Sequence, residues 1–143
     1  MTSTTMTTAS VARGESADAA VIAVLERLYQ AWAAGDADGI ASLYTDDATV
    51  CLPGVFHEGP DQVRAFFTAG FAGRLKGTRG VDEVGSVRFA DPDVAIVVSQ
   101  GGILMPGETS VPAERLVRAT YVLTRGDGNW LIASYHNCPL QGR

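Results

Sequence analysis

The polar side chains best suited to chemistry in this sequence stand inside apolar, strand-like segments of its second half. Gln100, Arg118, His136 and Asn137 each interrupt a run of β-branched and aromatic residues. A buried polar group needs a partner, and a ligand pocket would supply one. His136 could then act as a proton acceptor, because the unperturbed pKa of histidine is about 6.5. Two alternatives stay open: Arg118 can point to solvent, and a lone histidine can be a satisfied core residue.

Aromatic residues offer a second set of candidates. Tyr29 lies one helical turn after Leu25 on the first predicted helix, and it could donate a hydrogen bond to a ligand carbonyl. Trp32 follows on or beside the same face, and Phe56 and Phe67 could line an apolar cavity. The alternative for each of these residues is an ordinary core aromatic.

Proton abstraction next to a carbonyl requires a side-chain base, and a carboxylate is one such group. The strand segments 94–104, 116–124 and 130–137 contain no Asp or Glu. The acids that remain near the predicted pocket are Asp47, Glu58, Glu108 and Glu114, and Glu58 stands beside His57. Asp47 follows a predicted helix, so a capping or turn role competes with a role in a pocket.

Neither a cofactor nor a metal ion is predicted. No GxGxxG follows a strand, so nothing indicates a nucleotide. His57 and His136 have no HxxxH or HExxH spacing, and the two cysteines, Cys51 and Cys138, form no CxxC pair.

Composition narrows the class of protein. The chain has 143 residues, a formal charge of −5, 46% hydrophobic residues and 19% charged residues, values typical of one globular domain. It carries a single lysine, Lys76, and no basic stripe, which argues against nucleic acid as a partner. Apolar runs such as Val94–Val98 are too short to span a membrane.

The chain is expected to be one domain over residues 16–143, preceded by a disordered tail over residues 1–15. The tail is rich in Thr and Ser and lacks the apolar stretch of a secretion signal. Small secreted domains usually carry more than two cysteines, so a cytoplasmic protein with free thiols is predicted.

Helices are predicted first along the chain. An apolar face formed by Val21, Val24, Leu25, Leu28 and Trp32 predicts a helix over Ser16–Ala34 that Gly35 ends. Asp36 should cap a second helix reaching Tyr44, and Pro60 should open a third.

Strands follow the helices, which predicts an α+β fold. The β-prone runs are Thr49–Leu52, Val81–Phe89, Val94–Leu104, Leu116–Thr124 and Trp130–Asn137. The last four runs indicate an antiparallel meander. Because these strands are apolar on both faces, the outer sheet face should also be covered, most simply in a homodimer.

The ordered motifs resemble those of a known superfamily. They are Trp32-Ala33-Ala34-Gly35-Asp36, Leu43-Tyr44, Asp46-Asp47-Ala48, Pro53-Gly54, Phe66-Phe67, Gly128-Asn129-Trp130-Leu131-Ile132 and His136-Asn137. Over residues 16–138 they are similar to the NTF2-like superfamily, SnoaL-like branch. Within that branch the sequence most resembles SgcJ/EcaC-type proteins, some of which belong to enediyne polyketide gene clusters.

The resemblance implies a cone in which a curved, mostly antiparallel sheet wraps around helices and leaves a pocket at its wide end. It also implies dimerisation through the outer sheet face. Relatives include ketosteroid isomerase, in which a helix-borne tyrosine contacts a carbonyl oxygen as Tyr29 could, and the SnoaL polyketide cyclases. Others only bind ligands or partners, so the fold does not settle the function.

Three functions are therefore compatible with the sequence. The first is binding or processing of a hydrophobic polyketide intermediate by cofactor-free proton transfer. The second is a non-catalytic accessory role, in which the protein shields an intermediate or docks on a polyketide synthase. The third is an NTF2-like stress or housekeeping binder.

The predicted site takes His136 and Tyr29 as catalytic residues. The predicted ligand-binding residues are Trp32, Asp47, Phe56, His57, Glu58, Phe67, Gln100, Arg118 and Asn137. We expect Tyr29, Trp32, His57, Gln100, Arg118 and His136 to border one cavity.

Overall fold

A computed structural model describes the backbone of residues 2–141 and the side chains of residues 17–141. The elements occur in the order helices first and meander last. They are α1 (Thr2–Ala33), α2 (Ala37–Ala41), β1 (Tyr44–Leu52), β2 (Val55–Glu58), α3 (Gly59–Phe71), β3 (Arg79–Asp91), β4 (Val94–Leu104), a 3-10 turn (Ala113–Arg115), β5 (Val117–Gly126) and β6 (Asn129–Pro139).

Helix α1 buries the face that its sequence predicts. Val21, Val24, Leu25 and Leu28 are all at most 5% exposed. The helix ends at Ala33, and Gly35 follows with a φ of 67°, the left-handed conformation that favours glycine. The predicted start at Ser16 is wrong, because α1 begins at Thr2. Once a helix has nucleated, each added residue gains a hydrogen bond, and the preceding segment contains no proline to stop it. The division of the chain at residue 16 stays a prediction.

Helix α2 is shorter than the sequence predicts. Asp36 caps it as expected, and its side chain accepts a hydrogen bond of 2.9 Å from the Gly39 backbone N–H. The helix ends at Ala41 instead of Tyr44, because Tyr44 already pairs with Ile132 in the sheet. This long-range pairing overrides the local helical pattern.

The strands form one six-stranded sheet in the order β2-β1-β6-β5-β4-β3. The meander from β3 to β6 is antiparallel, as predicted, and β1 pairs with β6 in parallel. The helices pack on one face of this curved, open sheet and enclose the core with it. The predicted α+β class, with N-terminal helices packed in a curved and mostly antiparallel sheet, is confirmed.

A bulge in β6 changes which side chains face the core. Val122 pairs with Ser134, whereas Leu123 pairs with Ile132, so Ala133 is an extra residue on β6. An extra residue reverses the alternation of side chains beyond it. In a regular strand, every second residue after Ile132 would face the core as Ile132 does. After the bulge, those residues face outward instead.

Candidate functional site

A cavity of about 530 Å³ lies between helices α1 and α3 and the inner face of the sheet. Residues from both edge strands, β2 and β3, contribute to its wall, because the sheet curves around the helices. Most of the lining side chains are apolar, among them Leu28, Val50, Val63, Phe66, Phe67 and Ile103. This size and lining suit a drug-sized, mostly hydrophobic molecule.

Asp82 of β3 places a carboxyl group in the wall of this cavity. Its partner across the ladder is Gly101, where an added Cβ would lie 2.9 Å from Asp82 Oδ1 and 2.2 Å from the Val81 carbonyl oxygen. Because Gly101 has no side chain, the Asp82 carboxyl group can occupy the space next to it. Burial raises the pKa of the Asp82 carboxyl, and the hydroxyls of Ser99, Tyr29 and Tyr121 oppose that rise.

Three tyrosines surround this carboxyl group. The Tyr29 hydroxyl of α1 is hydrogen-bonded to the Tyr121 hydroxyl of β5. The rings of Tyr121 and Tyr135 lie 4.7 Å apart between centroids, and the Asn137 side-chain N–H donates a hydrogen bond of 2.9 Å to the Tyr135 hydroxyl. Tyr29, Tyr121 and Tyr135 all line the cavity.

These phenols are neutral at physiological pH, and burial raises their pKa values further above it. Desolvation raises the pKa of Tyr29 and Tyr121 well above the usual value, and the charge of Asp82 adds to both rises. Desolvation raises the pKa of Tyr135 to about 12, and the hydrogen bond from Asn137 opposes this. The three hydroxyls are therefore donors of hydrogen bonds, and Asp82 is the acidic group among them.

Several buried polar atoms have no hydrogen-bond partner within the described side chains. Three of them belong to residues of the cavity wall: His57 Nε2, Asp82 Oδ2 and Asn137 Oδ1. A fourth is Ser99 Oγ on β4. Buried polar atoms are normally paired, so these atoms mark the cavity wall as a place where polar groups lack partners within the chain.

Glycine at position 80 brings α1 close to this group. A Cβ added to Gly80 would lie 2.8 Å from Tyr29 Cδ1 and 3.2 Å from Trp32 Cε3. The Trp32 indole N–H donates a hydrogen bond of 3.0 Å to Thr78 Oγ1, which fixes the indole beside the cavity. The absence of a side chain at Gly80 therefore allows the Tyr29 ring of α1 to pack directly against the backbone of β3.

The structure brings five of the eleven predicted site residues to the cavity wall: Tyr29, Trp32, His57, Phe67 and Asn137. The catalytic role predicted for Tyr29 and the ligand-binding roles of the other four stay predictions.

His136 does not line the cavity, and its predicted placement there is wrong. The β6 bulge turns Tyr135 and Asn137 inward, so His136 lies on the outer face and is exposed. Without the extra residue, His136 would lie on the same side as Trp130 and Ile132.

Gln100 and Arg118 are also misplaced by the sequence prediction. They are paired with each other across β4 and β5, and the inward positions next to them are Ser99 and Ala119. The polar side chains therefore stand together on the outer face, where Arg118 is exposed.

The remaining three predicted residues lie outside the cavity as well. Phe56 is 57% exposed, and Glu58 is exposed at the end of β2. Asp47 is exposed and accepts a hydrogen bond of 2.9 Å from Thr45 Oγ1, which is the local turn role that competed with a pocket role.

The sequence prediction missed Asp82, Tyr121 and Tyr135. Asp82 lies on the first strand of the meander, outside the strand segments 94–104, 116–124 and 130–137. One indication was present: Gly80, Asp82 and Val84 alternate along a strand-like run, and that run precedes a second strand containing Gly101 and Gly102. Tyr121 stands in alternation with Ala119 and Leu123, so it can be assigned to the inner face.

The mouth of the cavity carries charged side chains. Arg115 forms an ion pair with Glu108 and donates a hydrogen bond of 3.3 Å to the Ile103 carbonyl oxygen. Arg74, which follows α3, places its guanidinium carbon 5.6 Å from the Phe66 ring centroid. Glu114 also lines the cavity and is exposed.

Among the side chains from residue 17 to residue 141, no cluster of three or more His, Cys, Asp or Glu could hold a metal ion. Within the described helices, none has the length and apolar character needed to cross a membrane.

Known proteins share this architecture. A family model described as a SnoaL-like domain matches residues 21–140. No curated protein matches the chain.

Solved structures resemble the chain over most of its length. A domain of unknown function with a cystatin-like fold from Nostoc punctiforme is 28% identical, with a TM-score of 0.80 over 89% of this chain and 79% of that one. An NTF2-like protein from Novosphingobium aromaticivorans is 16% identical, with a TM-score of 0.77 over 94% and 89%.

A putative calcium/calmodulin-dependent protein kinase II association domain from Xanthomonas campestris is 22% identical, with a TM-score of 0.70 over 86% and 87%. Together, the solved structures confirm the NTF2-like fold that the sequence predicts. The narrower resemblance to SgcJ/EcaC-type proteins stays a prediction.

Proposed function

Because this chain belongs to the SnoaL-like domain family, we propose that its cavity binds a hydrophobic small molecule and transfers a proton next to a carbonyl of that molecule. The observation that carries the proposal is the Asp82 carboxyl, set in an apolar cavity beside the hydroxyls of Tyr29 and Tyr121. No residue of this set needs a cofactor for such a reaction.

Asp82 is the proton acceptor in this proposal. Its raised pKa makes the carboxylate a stronger base than an ordinary aspartate, and the wall around it is mostly apolar. The carboxylate removes a proton from the carbon next to the carbonyl, and the electrons of that C–H bond form the enolate. The same carboxyl group then returns the proton to a carbon of the conjugated system, so no electrons enter or leave.

The tyrosine hydroxyls stabilise the enolate oxygen. Tyr29 and Tyr121 share one hydrogen bond, which uses one of their two protons, and the other can be donated to Asp82 or to the ligand. Their raised pKa values ensure that both are protonated when the charge develops on the oxygen. A neutral donor fixed in a low-dielectric site stabilises a developing oxyanion without reorganisation.

Polyketide-derived intermediates are the substrate class we propose. A methylene carbon between two carbonyls loses a proton readily, and a folded poly-carbonyl chain is mostly hydrophobic, as is the cavity wall. An enediyne-type pathway and docking on a polyketide synthase are narrower proposals within this class. We also propose a homodimer and a cytoplasmic location, as the sequence predicts.

Deuterium exchange tests the reaction directly. The protein is mixed with α-tetralone in D₂O, and loss of the α-proton signal is followed by NMR. We expect exchange by the wild-type protein and a decrease of about 10²–10⁴-fold in Asp82→Asn. His136 lies on the other face of the sheet, so the His136→Ala variant should catalyse the exchange at the wild-type rate.

Non-catalytic binding is the competing function, since the cavity can hold a ligand without transferring a proton. Saturable quenching of Trp32 fluorescence by α-tetralone without any exchange would support binding alone and overturn the proton transfer.

A further inference from the structure

The cavity has a second polar end, distinct from the Asp82 group. There the Phe66 ring contacts two basic residues. The His57 ring centroid lies 4.9 Å from that of Phe66, and the Arg74 guanidinium carbon lies 5.6 Å from the same centroid. All three residues line the cavity.

Arg74 differs from Arg115, the other arginine that lines the cavity. Arg64, Arg115 and Arg125 each form an ion pair with an Asp or Glu, whereas none of the ion pairs found among residues 17–141 includes Arg74. Arg115, the other guanidinium at the mouth, is already held by Glu108. Arg74 is therefore the cation at the mouth whose N–H groups can bind an anionic group of a ligand. Its stacking on Phe66 limits the orientations of its side chain.

His57 adds a second donor at the same place. Its Nε2 atom is buried and has no partner among the described residues, although the residue lines the cavity. In the Nε2-protonated tautomer this atom is a donor that lacks an acceptor among the described residues, and the head-group site requires the ring to turn so that the atom reaches the cavity. Glu114 is the acid at the mouth, and its exposed position leaves its charge screened by water.

The His57 end and the tyrosine end of the cavity are separated in the direction that runs across the strands. His57 pairs with Val50, and Val50 pairs with Tyr135, so two strand spacings separate His57 from the tyrosine group. That distance is about 10 Å. A ligand reaching both ends needs a carbonyl at one end, an anionic head group at the other and an apolar body between them.

We propose that Arg74 and His57 form a head-group site for a carboxylate, so that the ligand of this cavity is an amphipathic keto acid. The carbonyl end of this ligand rests on the proposed function, whereas the head-group site rests on Phe66, Arg74 and His57 alone. The planar guanidinium suits a carboxylate, because its paired N–H groups match the two carboxylate oxygens.

Calorimetric titration with a matched pair of ligands tests the proposal. The probes are 6-oxo-6-phenylhexanoate and its neutral primary amide, which have the same shape and carbonyl. At low salt we expect the wild-type protein to bind the carboxylate about fivefold more tightly than the amide. In Arg74→Gln this preference should disappear, while the affinity for the amide stays the same.

Arg88→Gln is the control, because it removes the same charge from an exposed position of β3 that does not line the cavity. It should keep the preference for the carboxylate. Phe66→Leu keeps an apolar side chain but removes the ring under Arg74, so it should reduce the preference.

Each other outcome overturns the head-group site. Equal binding of the acid and the amide by the wild-type protein does so, as does an unchanged preference in Arg74→Gln or a failure to bind either probe. The α-tetralone exchange experiment separates the two proposals. Exchange that depends on Asp82 without a carboxylate preference refutes the head-group site alone, whereas a carboxylate preference without such exchange refutes the proton transfer alone.

Discussion

Replacing Asp82 with asparagine should stabilise the protein at neutral pH while it removes the proposed proton transfer. The substitution keeps the shape of the side chain and removes its charge. Asp82 Oδ2 is buried without a hydrogen-bond partner among the described residues, and such an atom costs about 1–3 kcal/mol. Since asparagine is still polar, we expect a gain of about 1 kcal/mol at pH 7, at the lower end of this range.

The gain should depend on pH in a defined direction. Burial raises the pKa of the Asp82 carboxyl, so the native protein binds this proton more tightly than the unfolded chain does. Wild-type stability therefore decreases, relative to the variant, as the pH rises from the unfolded pKa of about 3.9 through the native pKa. The two proteins should differ least below pH 4 and most at neutral pH.

Urea denaturation of both proteins at pH 4, 5, 6 and 7 measures this difference. Other carboxyl groups titrate equally in the two proteins, so their contributions cancel in the comparison. In thermal melts, 1 kcal/mol corresponds to about 3 °C for a domain of this size. A variant that is less stable than the wild type at pH 7, or a difference that does not change with pH, would refute the assignment of Asp82 as a desolvated carboxyl.

Three further changes test the description of the fold and the site. Gly80→Ala should destabilise the protein by about 1–3 kcal/mol in urea denaturation, because its Cβ would clash with the Tyr29 ring; an unchanged stability would contradict this close contact. His136→Ala should change the unfolding free energy by less than about 0.5 kcal/mol and leave binding of α-tetralone intact, since His136 is exposed on the outer face; weakened binding would contradict that position. Light scattering at tens of micromolar should show a dimer that Val122→Asp, on the same outer face, converts to a monomer; a wild-type monomer would refute the proposed assembly.

The fold followed from the sequence because its strongest patterns are local. The spacing of Val21, Val24, Leu25 and Leu28 predicts a buried helix face, and these residues are buried. The meander followed from β-prone runs separated by Pro and Gly. Element ends at Ala41 and Tyr44 were predicted less well, since the pairing of Tyr44 with Ile132 joins residues distant in sequence.

The candidate site was predicted only in part, because one inserted residue decides the orientation of β6. Tyr135 and Asn137 line the cavity and His136 does not, although strict alternation from Trp130 predicts the opposite. Nothing in the composition of Ala133-Ser134 marks a bulge, since its cause is the register against Val122 and Leu123. Asp82, by contrast, is indicated by the sequence itself, because it alternates with Gly80 and Val84 on the first strand of the meander.

The parallel pairing of β1 with β6 has a consequence for the order in which the protein folds. Strand β6 is synthesised after all the other strands, yet it lies between β1 and β5 in the sheet. During synthesis, β1 and β2 therefore lack the neighbouring strand β6 until that strand has left the ribosome. Contacts between distant parts of a chain form slowly. Insertion of β6 should accordingly be the late step of folding, and the cavity wall formed by Val50, Tyr121 and Tyr135 is completed only then.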